Sequence, residues 1–243
     1  MKKMKKCIIF IFITLLSCST RQDKKDTQLT QKEKQVKVYN DSENRDTEII
    51  ETFTDSTRIG EKGKSKIEII KHRVFNDKYV IVNFYTKGPN CWYIKNTYLY
   101  ECDAILGLEP NISDFNNDKF NDLTFISAEA ARGSNEVRRL FIYDNEKKEL
   151  ISIVNSEEFP NMQYNNELDC IDAFLVTGGS TTVFARLKGD SLIEFAGVDN
   201  SDYRLVYIID RKGERKYIKR DKITDDMGVY VRYKNYKPLK EYK

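Results

Sequence analysis

Short apolar and β-branched segments, separated by turn residues, run along the chain from residue 48 to its end. Several of them alternate between apolar and polar positions, as half-buried strands do, and no long stretch repeats its apolar residues every 3.6 positions. Turn signals such as Gly88-Pro89-Asn90 and Lys188-Gly189-Asp190 lie between the segments. The pattern predicts an all-β domain of antiparallel strands, either a β-sandwich or a barrel-like fold, and roughly 195 residues suffice for one substantial core.

The predicted strands cover residues 48–53, 65–72, 78–85, 92–101, 123–128, 138–144, 150–154, 171–177, 181–187, 203–210 and 214–219. The segment 79–85 is almost entirely apolar, which predicts an interior strand buried on both faces.

The segment in front of this domain has a different composition. Between residues 19 and 47 the apolar residues are Leu29, Val36, Val38 and Tyr39, and the rest are polar or charged. Such a segment buries too little apolar surface to offset the entropy lost on ordering. We therefore expect a disordered tether over residues 18–47 and a β-rich binding domain over residues 48–243.

The first seventeen residues have the layout of a signal peptide. Four lysines precede an uncharged run from Cys7 to Leu16. Ten helical residues reach roughly half of the ~30 Å hydrocarbon core, so this run is too short to be a membrane anchor. Residues 1–17 are therefore predicted to be cleaved from an exported chain.

The run ends in Leu15-Leu16-Ser17-Cys18, which resembles the lipobox of bacterial lipoproteins. The resemblance implies cleavage before Cys18 and modification of that cysteine with acyl chains of the palmitate type, which anchor the chain in a membrane. Ser19 rather than aspartate follows the cysteine, which by resemblance to lipoprotein sorting implies the outer membrane, facing the periplasm or the cell surface. An ordinary signal peptide with a chance cysteine is the alternative.

The leader also carries the excess of positive charge. The full chain has 41 basic and 38 acidic residues, and loss of the four leader lysines leaves 37 basic residues against 38 acidic ones. A nucleic-acid partner therefore has no basis in net charge.

Three cysteines, Cys91, Cys102 and Cys170, remain in the predicted domain. Outside the cytoplasm a disulfide persists, and we expect Cys91 and Cys102 to close a strand-turn-strand unit. A catalytic cysteine needs a base, and the chain has a single histidine, His72, so we do not expect an enzyme. Paired carboxylates such as Asp225-Asp226 leave a hydrolase as a remaining alternative.

An aspartate-rich segment, residues 114–122, carries the most specific chemistry in the chain. Oxygen ligands at positions one, three, five and nine of a tight loop, with the carbonyl at position seven, converge on one hard cation. The segment therefore predicts a Ca²⁺ site, and its expected ligands are Asp114, Asn116, Asp118, the carbonyl of Phe120, and Asp122.

Two departures distinguish the segment from a complete EF-hand loop. Phe125 stands where a bidentate glutamate would be, and position six, which needs positive φ, is Lys119 and not glycine. Lysine adopts that geometry at a cost of ~1 kcal/mol. The alternative is a metal-free turn in which the Asp and Asn side chains accept hydrogen bonds from backbone amides.

Residues 112–118, 122–123, 127–135 and 140–144 together resemble bacterial envelope proteins related to periplasmic lysozyme inhibitors, among them immunity lipoproteins. The shared order is an aspartate loop, a strand, a glycine-containing loop and a strand that ends in Tyr143-Asp144. The likeness implies that a loop between two strands enters the cleft of a peptidoglycan hydrolase and blocks its carboxyl groups.

By position, the inserted loop is the segment 127–135. Arg132 would pair with the carboxylates of the enzyme, and Ser134 and Asn135 would form hydrogen bonds to them. Gly133 and an additional Glu129 complete the expected partner-binding loop. The aspartate-rich segment 114–122 is expected to hold this loop outward, toward the partner. The alternative for this segment is an exposed hairpin loop without a partner.

The sequence therefore predicts a lipid-anchored envelope protein that inhibits a lysozyme-like enzyme or confers immunity to it. A Ca²⁺-supported module that binds glycans or other ligands through exposed aromatic residues is the alternative from another class.

Overall fold

The computed structural model describes residues 47–105, 107–224 and 229–242. The predicted signal peptide, the lipidation site Cys18 and the predicted tether up to residue 46 lie outside these residues. All described elements belong to one compact unit, Arg45–Lys243, and its first strand begins at Thr47. Among the described residues, no helix has the length and apolar character needed to cross a membrane.

Antiparallel pairing between neighbours in the sequence builds the whole described fold. Within each sheet, a strand pairs with strands that directly precede or follow it in the chain, so short hairpin connections suffice inside the sheet. Within the described ranges the sheets remain open and none closes into a barrel, so the all-β prediction is confirmed and the fold is consistent with a β-sandwich.

The first sheet contains β1 (Thr47–Asp55), β2 (Ser65–Val74), β3 (Asp77–Lys87) and β4 (Trp92–Glu101). The second contains β5 (Asn111–Ser113), β6 (Asp122–Ala130), β7 (Asn135–Asp144) and β8 (Glu149–Ser152). The third contains β9 (Gln163–Asn165), β10 (Cys170–Val176), β11 (Ser180–Lys188), β12 (Ser191–Asn200), β13 (Tyr203–Ile209) and β14 (Arg215–Lys222). The fourth is a hairpin of β15 (Tyr233–Tyr236) and β16 (Leu239–Glu241).

The second sheet is the middle layer. Along β7, Phe141 and Tyr143 belong to a hydrophobic cluster shared with the first sheet, and Leu140 and Ile142 to a cluster shared with the third. Residues 122–127 and 140–143 are consequently buried on both faces. The stretch 140–143 is a continuous apolar run, as strands buried on both faces usually are, and burial of such side chains is the main stabilising contribution of the fold.

The prediction that β3 is buried on both faces is wrong. Val80, Val82 and Phe84 are fully buried against the second sheet, but the residues between them are only half-buried. The first sheet is an outer layer, so one of its faces borders solvent. The apolar side chains on that face, such as Ile81, made the segment resemble an interior strand.

The C-terminal hairpin covers the outer face of the third sheet. Tyr233 is fully buried in a cluster with Phe184 and Val206, and its backbone N–H donates to Thr182 Oγ1 at 3.0 Å. The described strands therefore stack in four layers, and each interface between layers has its own hydrophobic cluster.

The histidine of β2 makes folding sensitive to pH. His72 is 6 % exposed and stacks on Tyr79 with ring centroids 5.9 Å apart, and burial lowers its pKa from the ordinary value of 6.5. A base with a lowered folded-state pKa contributes stability above its unfolded pKa, and this stability is lost as the pH falls.

We therefore expect the contribution of His72 to the free energy of unfolding to decrease as the pH falls below about 6.5. The difference in this free energy between the chain and a His72→Gln variant isolates that contribution from other titrating groups, and it should shift against the chain over that range. Because the chain has one histidine, proton NMR reports its titration without ambiguity. A midpoint at or above 6.5 in the folded protein would contradict the assignment.

Candidate functional site

The aspartate-rich loop joins β5 to β6, and its side chains point inward to its own backbone amides. Asp114 accepts hydrogen bonds from the N–H groups of Asn116, Asp118 and Lys119, at 3.2, 3.2 and 2.8 Å. Asp118 accepts from the N–H of Phe120 at 2.8 Å. Lys119 has φ +74°, the geometry expected at position six. The loop thus contains the Asx-type turns that were the alternative to a metal site.

Asp122 closes the loop from inside the core. It is fully buried, and its two carboxylate oxygens accept from the N–H of Phe115 at 2.7 Å and of Tyr143 at 2.9 Å. Burial raises its pKa to about 8, with the nearby charges of Asp114 and Asp118 acting in the same direction and the two N–H donors acting against it. Asp122 therefore ties the loop to β7.

The predicted Ca²⁺ ligands lie close together. In this arrangement the carboxylate oxygens of Asp114, Asp118 and Asp122 accept hydrogen bonds from backbone N–H groups. In the part of the chain that the structure describes, no group of three His, Cys, Asp or Glu side chains is placed to hold a metal ion. Binding of Ca²⁺ would need oxygens of Asp114, Asn116, Asp118 and Asp122 to converge with the carbonyl of Phe120. The Ca²⁺ site stays a prediction.

The aspartate loop and the predicted partner-binding loop lie at opposite ends of β6. Asp122 begins the strand and Ala130 ends it, a separation of about 26 Å at the usual rise of a strand. The expectation that the first loop holds the second is therefore wrong. The aspartate loop instead joins layers: the N–H of Gly60, in the β1–β2 connection, donates to the Asn121 carbonyl at 2.9 Å.

The partner-binding loop is an exposed hairpin tip between β6 and β7, formed by residues 131–134. Ala131, Arg132 and Gly133 have φ values of +49°, +59° and +88°, three consecutive left-handed residues of which two carry a Cβ. A Cβ added at Gly133 would have open space around it. Such backbone strain persists only where the surrounding structure imposes it.

The base of this tip is held by two asparagines. Asn135 is 6 % exposed; its Oδ1 accepts from the N–H of Val176 at 2.9 Å and its Nδ2 donates to the Val176 carbonyl at 3.1 Å. Asn161 Nδ2 donates to the Ser134 carbonyl at 2.9 Å. The predicted contact of Asn135 with a partner is therefore wrong, because its amide links the second sheet to the third.

Glu129 also forms hydrogen bonds within the fold. Its carboxylate accepts from the N–H of Ile105 at 2.9 and 3.2 Å, which fixes the connection after β4. Arg132, in contrast, is exposed and its guanidinium forms no hydrogen bond or ion pair with another described residue. Of the five predicted partner-binding residues, Arg132, Gly133 and Ser134 remain available to a partner.

A second hairpin tip lies beside the first. Asn135 bonds to Val176, the last residue of β10, and Thr177-Gly178-Gly179 follow directly. Gly178 has φ +79°, and a Cβ on Gly179 would come within 2.2 Å of the Asn200 carbonyl oxygen. The two tips therefore share one end of the fold, where they form an exposed edge.

The sequence did not identify Asn161 as part of the site. Its side chain forms hydrogen bonds at the base of the tip, although it lies 26 residues from Asn135 in the sequence. Its Oδ1 accepts from the N–H of Glu136 at 3.0 Å and its Nδ2 donates to the Phe174 carbonyl at 2.7 Å. The Pro160-Asn161 pair was the one local signal, because asparagine adopts positive φ more readily than most residues and here has φ +53°.

An open cleft of about 580 Å³ lies where Arg138 and Arg232 approach the surface. Arg138 is paired with Glu136 at 2.9 Å, and Arg232 with the buried Asp172. Both guanidinium charges are therefore balanced within the fold, so neither of these two arginines is left unpaired to recruit an anion.

The predicted disulfide between Cys91 and Cys102 is wrong. Both thiols are free, and the two residues flank the single strand β4. A strand of that length separates them by more than about 30 Å, whereas a disulfide requires Cα atoms within about 7 Å.

The free thiols differ in exposure, which predicts their reactivity. Cys91 is exposed, whereas burial raises the pKa of Cys102 and raises that of Cys170 to about 12. Because the thiolate is the reactive form, we expect a chain that begins at residue 19 to show one fast thiol at pH 8 with an aromatic disulfide reagent. Cys91→Ser should abolish that phase, and three fast thiols would contradict the assignment.

Comparison with known proteins gives little further information. No family model matches the chain, and no curated protein matches it significantly. Among solved structures, the chain is similar to one described as the structure of a Xanthomonas type IV secretion system related protein, with a TM-score of 0.42 and 10 % sequence identity. The match covers 71 % of this chain and 98 % of that one. A likeness at this level carries no argument about function.

Proposed function

We propose that this chain is a lipid-anchored protein of the bacterial envelope that binds a peptidoglycan hydrolase and blocks it with the hairpin tip 131–134. The observation that carries the proposal is an exposed, strained tip whose Arg132 forms no ion pair with any other described residue. The amino-terminal sequence supports the location, since a lysine-rich segment, an apolar core and Ser17-Cys18 follow one another in lipoprotein order.

Preorganisation of the tip supports a binding role. Asn135 and Asn161 hold both sides of its base, so little conformational entropy remains to be lost when a partner binds. Arg132 is exposed at the tip, and the neighbouring turn contains Gly178 and Gly179, which add little bulk. An arrangement of this kind fits a cleft in a partner.

The chemistry of Arg132 fits the catalytic groups of such hydrolases. Enzymes that cleave glycosidic bonds use a carboxylic acid with a raised pKa next to a carboxylate. A guanidinium forms paired hydrogen bonds with a carboxylate, and its charge lowers the pKa of a neighbouring acid. Insertion of Arg132 would therefore block the nucleophile and ionise the proton donor.

The test is a turbidity assay with a panel of peptidoglycan hydrolases and the chain from residue 19 to 243, which lacks the acylation site. We expect inhibition of at least one hydrolase and a loss of about 100-fold with Arg132→Ala, typical of removing one member of a buried charge pair. Lys62→Ala, which removes a charge from another exposed loop, is the matched control. Inhibition that Arg132→Ala leaves unchanged would refute the insertion model.

A Ca²⁺-supported surface module for glycans or other ligands is the second candidate. Its support is the position of Asp114 and Asp118, which are near enough to Asp122 for their charges to add to the effect of burial in raising its pKa, and the positive φ of Lys119. Calorimetric titration with Ca²⁺, repeated with Asp118→Ala, tests the metal. Glycan-array binding that a chelator abolishes would favour this candidate over the inhibitor.

A further inference from the structure

The third sheet ends in an edge strand with an unusual surface. Among the described strands, β14 has β13 as its single partner, and each of its residues except Asp221 is exposed. Together with the preceding turn it forms a segment, residues 211–222, that we name the basic edge. Most of its side chains are exposed, and the outer row of its backbone groups has no paired strand among the described residues.

Positive charge is concentrated in the basic edge. These twelve residues include seven basic and two acidic ones, whereas the remainder of the chain has 34 basic and 36 acidic residues. Arg215 is paired with Glu194 at 3.3 Å and Lys219 with Asp221 at 2.6 Å. The other basic residues have no ion pair with a described residue, and they are Arg211, Lys212, Lys216, Arg220 and Lys222.

Aromatic and apolar groups are interleaved with these charges. The guanidinium of Arg220 lies 3.9 Å from the centre of the Tyr203 ring, and that of Arg215 lies 4.3 Å from the Tyr207 ring. Tyr217 and Ile218 are 56 % and 42 % exposed in the middle of the strand. Cations beside exposed tyrosine and isoleucine are typical of surfaces that lie at the boundary between lipid headgroups and water.

The shape of the edge argues against an acidic peptide strand as its partner. The pairing register with β13 shifts between Val206 and Tyr207, which leaves Ile218 as a bulge in β14. A bulge twists an edge and interrupts the row of backbone groups that an added strand would need. A flat anionic surface needs no such row.

We propose that the basic edge rests on a membrane surface that contains anionic phospholipids. The inference builds on the proposed lipid anchor, because an acylated Cys18 keeps the domain near a membrane. The residues from 18 to 46 span at most about 100 Å when fully extended, so the anchor allows this contact. Electrostatic attraction of several lysines and arginines to lipid phosphates would then supplement the acyl chains.

Co-sedimentation with vesicles tests the proposal. The chain from residue 19 to 243 is mixed with phosphatidylcholine vesicles with and without about a third of phosphatidylglycerol, at low and at physiological salt. We expect binding only to the anionic vesicles, and on the order of 100-fold weaker binding after Arg211→Gln, Lys216→Gln and Lys222→Gln are combined. The matched control combines Lys62→Gln, Lys95→Gln and Lys188→Gln, which makes the same change of net charge at exposed sites elsewhere.

Equal binding of the two triple variants to anionic vesicles would overturn the proposal. Equal binding of the original chain to neutral and anionic vesicles would overturn it as well. In either case the charges of the basic edge would serve only to prevent its pairing with other strands. The readout is independent of the proposed function. Acylation of Cys18 is measured by mass spectrometry, hydrolase inhibition by turbidity, and vesicle binding on a chain that lacks the cysteine.

Discussion

Replacing Asp172 by alanine is expected to lower the free energy of unfolding by about 3–5 kcal/mol, because it leaves a partly buried guanidinium without its counter-ion. Asp172 is fully buried in β10. Its carboxylate accepts hydrogen bonds from Arg232 Nε at 2.7 Å, from Asn165 Nδ2 at 2.9 Å and from the Tyr242 hydroxyl. One carboxylate thus joins β9, β10 and the C-terminal segment.

Urea unfolding followed by tryptophan fluorescence or circular dichroism measures this change. Asp77→Ala is the control, since Asp77 is an exposed aspartate at the start of β3, and we expect it to change the free energy of unfolding by less than about 0.5 kcal/mol. A loss below 1 kcal/mol for Asp172→Ala would mean that the C-terminal hairpin contributes little to the stability of the third sheet.

Asp122→Ala is expected to cost about 2–4 kcal/mol, since it leaves the N–H groups of Phe115 and Tyr143 buried without acceptors and opens a small cavity. The effect should be the same in the presence of Ca²⁺ and of a chelator if the role of Asp122 is structural alone. Asp118→Ala, at an exposed position of the same loop, should cost less than about 1 kcal/mol in the chelator.

Thermal and urea unfolding under both conditions separate the two roles of the loop. A loss with Asp118→Ala that develops only when Ca²⁺ is added would establish a metal site. A negligible effect of Asp122→Ala under both conditions would contradict the hydrogen bonds assigned to this carboxylate.

Much of the fold followed from alternation, and the failures have identifiable causes. The strand Trp92–Glu101 was predicted with its observed bounds. Its sequence is rich in aromatic and β-branched residues, and the turn signal Gly88-Pro89-Asn90 comes before it. β12, a central strand of the third sheet, was missed because Glu194 and Gly197 interrupt its apolar pattern and a bulge shifts its register with β11. Gly197 is required there, since a Cβ would lie 2.3 Å from the Tyr207 hydroxyl oxygen.

The short strands β5, β9, β15 and β16 were missed for a different reason. Each has three or four residues, too few for a period to be recognised. They form because a neighbouring strand offers paired backbone groups, which is a tertiary effect that local sequence does not encode.

The sequence predicted some residues of the candidate site correctly and others not. Exposure of Arg132, Gly133 and Ser134 followed from their position in a hairpin loop between two predicted strands. The burial of Asn135 did not, because its partner Val176 is 41 residues away in the sequence. Two other errors were avoidable: the predicted strand 92–101 already separated Cys91 from Cys102, and the predicted strand 123–128 already placed the two loops at its opposite ends.

Replacement of residues 131–134 by Asn-Gly tests the binding tip most directly. A two-residue turn closes a β-hairpin and keeps Asn135 in place, so the melting temperature should change by no more than a few degrees. The account predicts that this folded variant loses inhibition of the hydrolase, as Arg132→Ala does. A folded variant that inhibits as well as the original chain would contradict it, because the partner would then be bound by another surface.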